Sequence, residues 1–167
     1  MGQDAAKSVL CLFPENEISE LENFRRKYII NPGKDVPFHV TLLDSFLLPG
    51  EIDDSVVEKL KRIARKTSKF EFWAKPLSSF PSSSVLYLSP SPVTSIEKLT
   101  GELYKEFPAF DKNKYGFPIY HMTIALGNPD KERNKIVDEY FEKFGKIPLR
   151  LKAGCLGIYN TMRKYVE

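Results

Sequence analysis

Short apolar runs alternate along the chain with segments whose apolar residues recur every three or four positions. That mixture predicts strands and amphipathic helices in one fold. Two of the runs are nearly the same string, SVLCLFP at 8–14 and SVLYLSP at 84–90. Each leads into a helical pattern. After the first, Ser19 and Glu22 have capping-box spacing, and Leu21, Phe24 and Tyr28 form an inner face. After the second, Thr94 and Glu97 have the same spacing, followed by Ile96, Leu99, Leu103 and Phe107.

The order continues in parallel. A short apolar strand follows in each half, VPFHVTLL in the first and FPIYHMTIAL in the second. Then comes another helix. In the first half its face is Val56, Leu60, Ile63 and Ala64. In the second it is Ile136, Val137, Tyr140, Phe141 and Phe144, with Asn128 as expected cap, Pro129 in the first turn and Gly145 as the stop. Both halves then enter strands, KFEFWA and IPLRLK, and CLGIYNTMRKYVE reads as one or two strands more. The offset between halves is 76 residues at SVL and 82 at the histidines. The pattern predicts one duplicated unit, with repeat one at about 8–75 and repeat two at about 84–160, in a single domain spanning 1–167. PLSSFPSSS at 76–84 reads as a wide hairpin loop between the halves, with a domain linker as the alternative.

Composition changes this picture little. A chain of 167 residues is long enough for one buried core. A net charge of +3 tolerates a phosphate-bearing partner without arguing for one. No apolar run approaches the ~20 residues of a membrane helix, and MGQDAAK is too short and polar for a signal peptide. Cys11 and Cys155 read as buried free thiols in a reducing cytoplasm, and no zinc-type cluster is present. The expectation is a cytoplasmic monomer that contacts no membrane.

The candidate chemistry lies in the two histidines of the chain, His39 and His121. Each has threonine two residues later, Thr41 and Thr123. With six threonines in 167 residues, chance places both so in roughly one case in a thousand, which makes a short motif informative. Residues i and i+2 of a strand share a face. His39 and Thr41 therefore oppose Val40 and Leu42, while His121 and Thr123 oppose Met122 and Ile124. If the halves pair about a pseudo-two-fold, two imidazoles and two hydroxyls line one cleft. Such a pair can take a proton from an attacking oxygen and give one to a leaving oxygen. The hydroxyls can donate to oxygens of the reacting group, a geometry suited to displacement at phosphorus. A lone strand histidine is more often structural than catalytic, but duplicated placement favours function. Two histidines without a nearby carboxylate or thiolate make a poor metal set, so no metal and no cofactor are expected.

Two His-x-Thr strands about eighty residues apart in a small duplicated chain resemble the 2H phosphoesterase superfamily. That group includes the 2′-5′ RNA ligase-like proteins and the cyclic nucleotide phosphodiesterases. The motifs that carry the resemblance are HVTLL and HMTIAL, and it covers nearly the whole chain. It implies a bilobed α+β fold, with antiparallel sheets flanked by helices around a central cleft. It further implies metal-independent hydrolysis of a cyclic phosphate (2′,3′-cyclic or related), or action on a 2′-5′ linkage, on a nucleotide or RNA end. By motif position His39 and His121 are the acid–base pair, and Thr41 and Thr123 bind the phosphate oxygens. The sequence leaves base and acid unassigned, while likeness to the cyclic phosphodiesterases favours His121 as base. Here the first motif continues as HVTLLDSFLLPG, without the early Phe and Gly of many relatives.

A nucleotide also needs an aromatic platform. Phe46, Phe80 and Tyr159 stand at loops or strand ends that can face the cleft. Phe38 and Tyr120, next to the histidines, should point the other way. Lys34, Lys114 and Arg163 are candidate contacts for outer phosphates. The competing class is a binding module that holds an RNA end or nucleotide in the same cleft without turnover.

Overall fold

The computed structural model describes residues 8–30, 36–75, 77–81, 83–111, 118–146, 148–160 and 163–165, the last three and 160 by backbone alone. Lys34 and Lys114 lie outside these residues, as does the side chain of Arg163. The fold is α+β, with two antiparallel sheets and, among the described residues, four α-helices.

The first half contains β1 (Val9–Pro14), α1 (Ser19–Tyr28), β2 (Val40–Leu43), α2 (Asp54–Lys66) and β3 (Glu71–Ala74). Then follow β4 (Ser78–Ser79), β5 (Leu86–Leu88), β6 (Pro90–Ser91), α3 (Thr94–Glu106), β7 (Met122–Ala125), α4 (Arg133–Phe144), β8 (Leu149–Asn160) and β9 (Arg163–Tyr165). The larger sheet has the order β2-β1-β8-β3-β6, with β9 also on β8, and the smaller has the order β4-β5-β7. PLSSFPSSS is not a simple hairpin loop between β3 and β5, which lie in different sheets: it contains β4 itself, which pairs with β5.

The two pairings that carry the His-x-Thr strands share one register. On β1 and β2, Leu10, Cys11 and Leu12 stand opposite Leu43, Thr41 and Val40. On β5 and β7, Leu86, Tyr87 and Leu88 stand opposite Ala125, Thr123 and Met122. The register shifts fall at the same step, between Leu10 and Cys11 and between Leu86 and Tyr87.

The apolar side of each strand is buried: Val40, Leu42, Met122 and Ile124 are all at most 2% exposed. Burying such a side chain stabilises by roughly 1.5–3 kcal/mol. A one-residue slip in both strands would turn all four to the motif side and both motifs into the core. The loss, roughly 6–12 kcal/mol, would rival the whole stability of a domain. Core packing therefore fixes which way the motifs face. Across the molecule α1 lies against β7 and α3 against β2. Each motif strand is thus backed by a helix from the other half of the chain.

Several local expectations are corrected. Ser19 and Thr94 are the first helical residues of α1 and α3, one position too late to cap, and neither helix has a side-chain cap bond. Glu22 bonds Phe38 N–H and Arg25 instead. Asn128 does not cap α4, which begins at Arg133 after a 3₁₀ turn over Asp130–Glu132; its amide donates to the Tyr28 and Leu126 carbonyls. Helix α2 has a true cap at Asp53, whose carboxylate accepts from Val56 N–H at 2.9 Å. Gly145 ends α4 at φ 68°, a conformation that glycine adopts without strain.

IPLRLK and CLGIYN, read as separate strands, run on as one, β8, and the tail adds a second, β9. Strand β8 pairs with β3 over Leu149–Lys152 and with β1 over Ala153–Tyr159. Gly154 is no turn residue: a Cβ there would stand 2.8 Å from Glu15 N, so it marks a close backbone approach. Cys11 is a buried free thiol as expected, whereas Cys155 is free but exposed. It sits where β8 shifts register against Phe13 and Pro14.

Candidate functional site

His39 immediately precedes β2 and His121 immediately precedes β7. Both rings are fixed the same way. His39 Nδ1 lies 2.6 Å from the Pro37 carbonyl oxygen, and His121 Nδ1 lies 2.9 Å from that of Ile119. A carbonyl only accepts, so each Nδ1 carries a proton and donates it two residues back. In the neutral ring this leaves Nε2 as a lone-pair acceptor.

Burial holds His39 well below the ordinary imidazole value, from 6.5 down to about 4. The Pro37 carbonyl opposes the shift, the charges of Arg25 and His121 add to it, and Glu22 opposes it. The charge of His121 thus bears on His39 across the two halves of the chain. His121 makes its carbonyl bond in a more exposed position than His39 does.

Thr41 and Thr123 are half-buried, between neighbours wholly buried on the opposite face. The alternation expected from the strand period is what the chain adopts. Phe38 and Tyr120 are 1% and 6% exposed and point into the core. The Tyr120 hydroxyl donates to Thr100 Oγ1 at 2.9 Å.

Aromatic rings flank both histidines. The Phe13 ring lies 5.9 Å from His39. Gly157 makes room for it, since a Cβ there would fall 2.5 Å from Phe13 Cε2. Phe80 meets His121 edge-on at 5.0 Å, and Tyr87 lies 5.6 Å from the same ring. Phe80 and Tyr87 are stacked on each other at 4.3 Å, and both are half-buried. Of the three candidate platform residues, Phe80 stands beside a histidine. Phe46 is 1% exposed and packs on Phe107 and Phe110 at 5.2 and 4.9 Å, because the loop after β2 folds back along β1 and carries it into the core. Tyr159 is also buried, on β8 opposite Val9. Neither offers an open ring face to a base.

Sequence reasoning missed Tyr87, although a signal for it was present. The two SVL strings align Tyr87 with Cys11, and strand pairing then puts it beside Thr123, on the motif side.

An apolar cavity of about 740 Å³ lies between α2 and the larger sheet, lined among others by Leu10, Leu12, Val57, Leu60 and Ile158. None of the four motif residues lines it. Its rim carries Asp53, Asp54, Lys61 and Lys69 but neither histidine, so volume alone does not locate the motifs. Among the described residues no group of three or more His, Cys, Asp or Glu stands placed to hold a metal ion. Among them too, no helix is long and apolar enough to cross a membrane.

Comparison with known proteins identifies the family. The model of the 2′-5′ RNA ligase superfamily matches residues 13–162. A protein of Geobacillus sp. (strain WCH70) is 32% identical over 163 residues, covering 91% of this chain and 92% of its own. A protein of Bacillus anthracis (strain A0248) is 30% identical over 164 residues, covering 92% and 94%. Both are named "Putative phosphoesterase". The duplicated His-x-Thr strands, the α+β fold and the match over most of the chain place this protein in the 2′-5′ RNA ligase superfamily, the 2H phosphoesterases.

Proposed function

We propose that the protein is a metal-independent phosphoesterase that opens a cyclic phosphate on a nucleotide or RNA end. The observation that carries this reading is the matched pair of imidazoles, each with Nδ1 tied to its own strand and Nε2 left for proton transfer.

His39 is the general base in this scheme. Its low proton affinity keeps it neutral at pH 7, with an acceptor at Nε2. Likeness to cyclic phosphodiesterases favours His121 as base; burial of His39 favours the reverse assignment. Water loses a proton to His39 Nε2 as its oxygen forms the new bond to phosphorus. The bond from phosphorus to one ribose oxygen breaks, and protonated His121 gives that oxygen its Nε2 proton. Thr41 and Thr123 donate hydrogen bonds to the non-bridging oxygens. The stacked Phe80–Tyr87 pair beside His121 supplies a face for the nucleobase. The two halves act as copies of one unit, within a cytoplasmic monomer.

The test is turnover of 2′,3′-cyclic mononucleotides, cyclic-phosphate RNA ends and 2′-5′ dinucleotides, with and without EDTA. Ring opening that persists in EDTA is expected. Activity lost to EDTA and restored by one divalent metal would reject the mechanism. Tight nucleotide binding with no turnover on any of these would favour the binding module, in which the same four residues are phosphate ligands only.

A further inference from the structure

Arg25 on α1 is only 2% exposed. A guanidinium is tolerated at that depth only when its charge and donors are matched. Its partners are Glu22 Oε2 at 2.6 Å, the Thr123 carbonyl at 2.7 Å from Nε, and the Val36 carbonyl at 3.2 Å. The group also lies over the Phe38 ring, 5.5 Å from its centre. The second oxygen of Glu22 accepts from Phe38 N–H. Val36 and Phe38 flank Pro37, whose carbonyl holds the His39 ring, and Thr123 belongs to the other motif. One ion pair thus grips the approach to the first histidine and the strand of the second.

We propose that Glu22 and Arg25 form a positioning pair that fixes the segment leading to His39 against the strand that carries Thr123. Its catalytic consequence rests on the acid–base reading above; its electrostatic consequence does not. The charged and titratable groups whose fields reach His39 are Arg25 and Glu22 on α1 and His121 before β7. Arg25 disfavours a proton on His39 and Glu22 favours one. Removing either therefore moves the ring in a predictable direction.

The experiment is an NMR titration of the two imidazoles, assigned with His39→Gln and His121→Gln, in the wild type, Glu22→Gln and Arg25→Met. Glu22→Gln leaves the arginine unopposed, so His39 should take its proton at lower pH. Arg25→Met leaves the carboxylate unopposed, so His39 should take it at higher pH. Arg25→Lys keeps the charge but not the planar fork that reaches three acceptors. It should leave the titration near wild type while lowering kcat roughly tenfold to a hundredfold, with little change in KM. Shifts of the same sign in Glu22→Gln and Arg25→Met, or no shift in either, would overturn the proposal. So would full kcat in Arg25→Lys. If Arg25→Met does not fold, Glu22→Gln and Arg25→Lys still decide. If the wild type turns over no cyclic phosphate, the functional reading falls, while the titrations continue to test the pair.

Discussion

His39 donates its Nδ1 proton to the carbonyl of Pro37 across 2.6 Å, and His121 repeats the bond to Ile119 at 2.9 Å. Each histidine thus carries its orienting acceptor two residues upstream on its own chain segment. No distant residue is needed to choose the tautomer. The rings differ in surroundings, and the difference sets the expected pH behaviour.

The profile of kcat/KM should fall on the acid side near pH 4, where His39 in the free protein gains a proton and stops accepting. A bound phosphate favours the charged imidazole, so the acid limb of kcat should lie higher. Steady-state kinetics between pH 3.5 and 9 checks both. An acid limb of kcat/KM near the ordinary imidazole value instead of near 4 would mean that His39 is not the base. The limbs are to be read as properties of the pair, since rings sharing a phosphate titrate together.

Stability should follow the same group. His39 accepts a proton near 6.5 when unfolded and near 4 when folded, so the unfolded chain binds more protons between these values. Its contribution is complete above about pH 6.5 and is lost as pH falls through about 4. The full shift corresponds to at most about 3 kcal/mol, less to the extent that the half-buried ring stays hydrated. Urea unfolding at pH 7 and pH 4.5 measures it. His39→Gln should flatten this dependence, and an unchanged slope would show that other groups cause it.

Phe46 and Phe80 should part company. Phe46→Ala should cost about 3–5 kcal/mol of stability, as a core truncation. Phe80→Ala should leave stability nearly unchanged and raise KM for a nucleotide by roughly 5–150-fold, the range for one base–aromatic stack. Chemical denaturation and steady-state kinetics on both variants test this. A Phe80→Ala protein with unaltered KM would remove the platform.

Much of the fold was legible because it rests on local periodicity. The alternation of Val40, Thr41 and Leu42, and of Met122, Thr123 and Ile124, told which side each motif faces. Loop aromatics were not legible, because a ring's surroundings depend on where the chain turns next. Phe46 enters the core through the return of the loop to Ser8, whereas Phe80 is brought to His121 by the β4–β5 hairpin. The first capping box failed for a related reason. Glu22 has the spacing of a cap residue, but Phe38 N–H and Arg25, distant in the pattern or unremarked in it, compete for the same carboxylate.

The most direct measurement is single-turnover opening of a 2′,3′-cyclic nucleotide by the wild type, His39→Ala, His121→Ala and the double variant, with folding checked by circular dichroism. Each single change should slow the step roughly 10²–10⁴-fold. The double change should cost little more than either alone, because a base and an acid that act in one concerted displacement fail as a unit. A wild-type rate in either single variant, with the protein folded, would contradict the account.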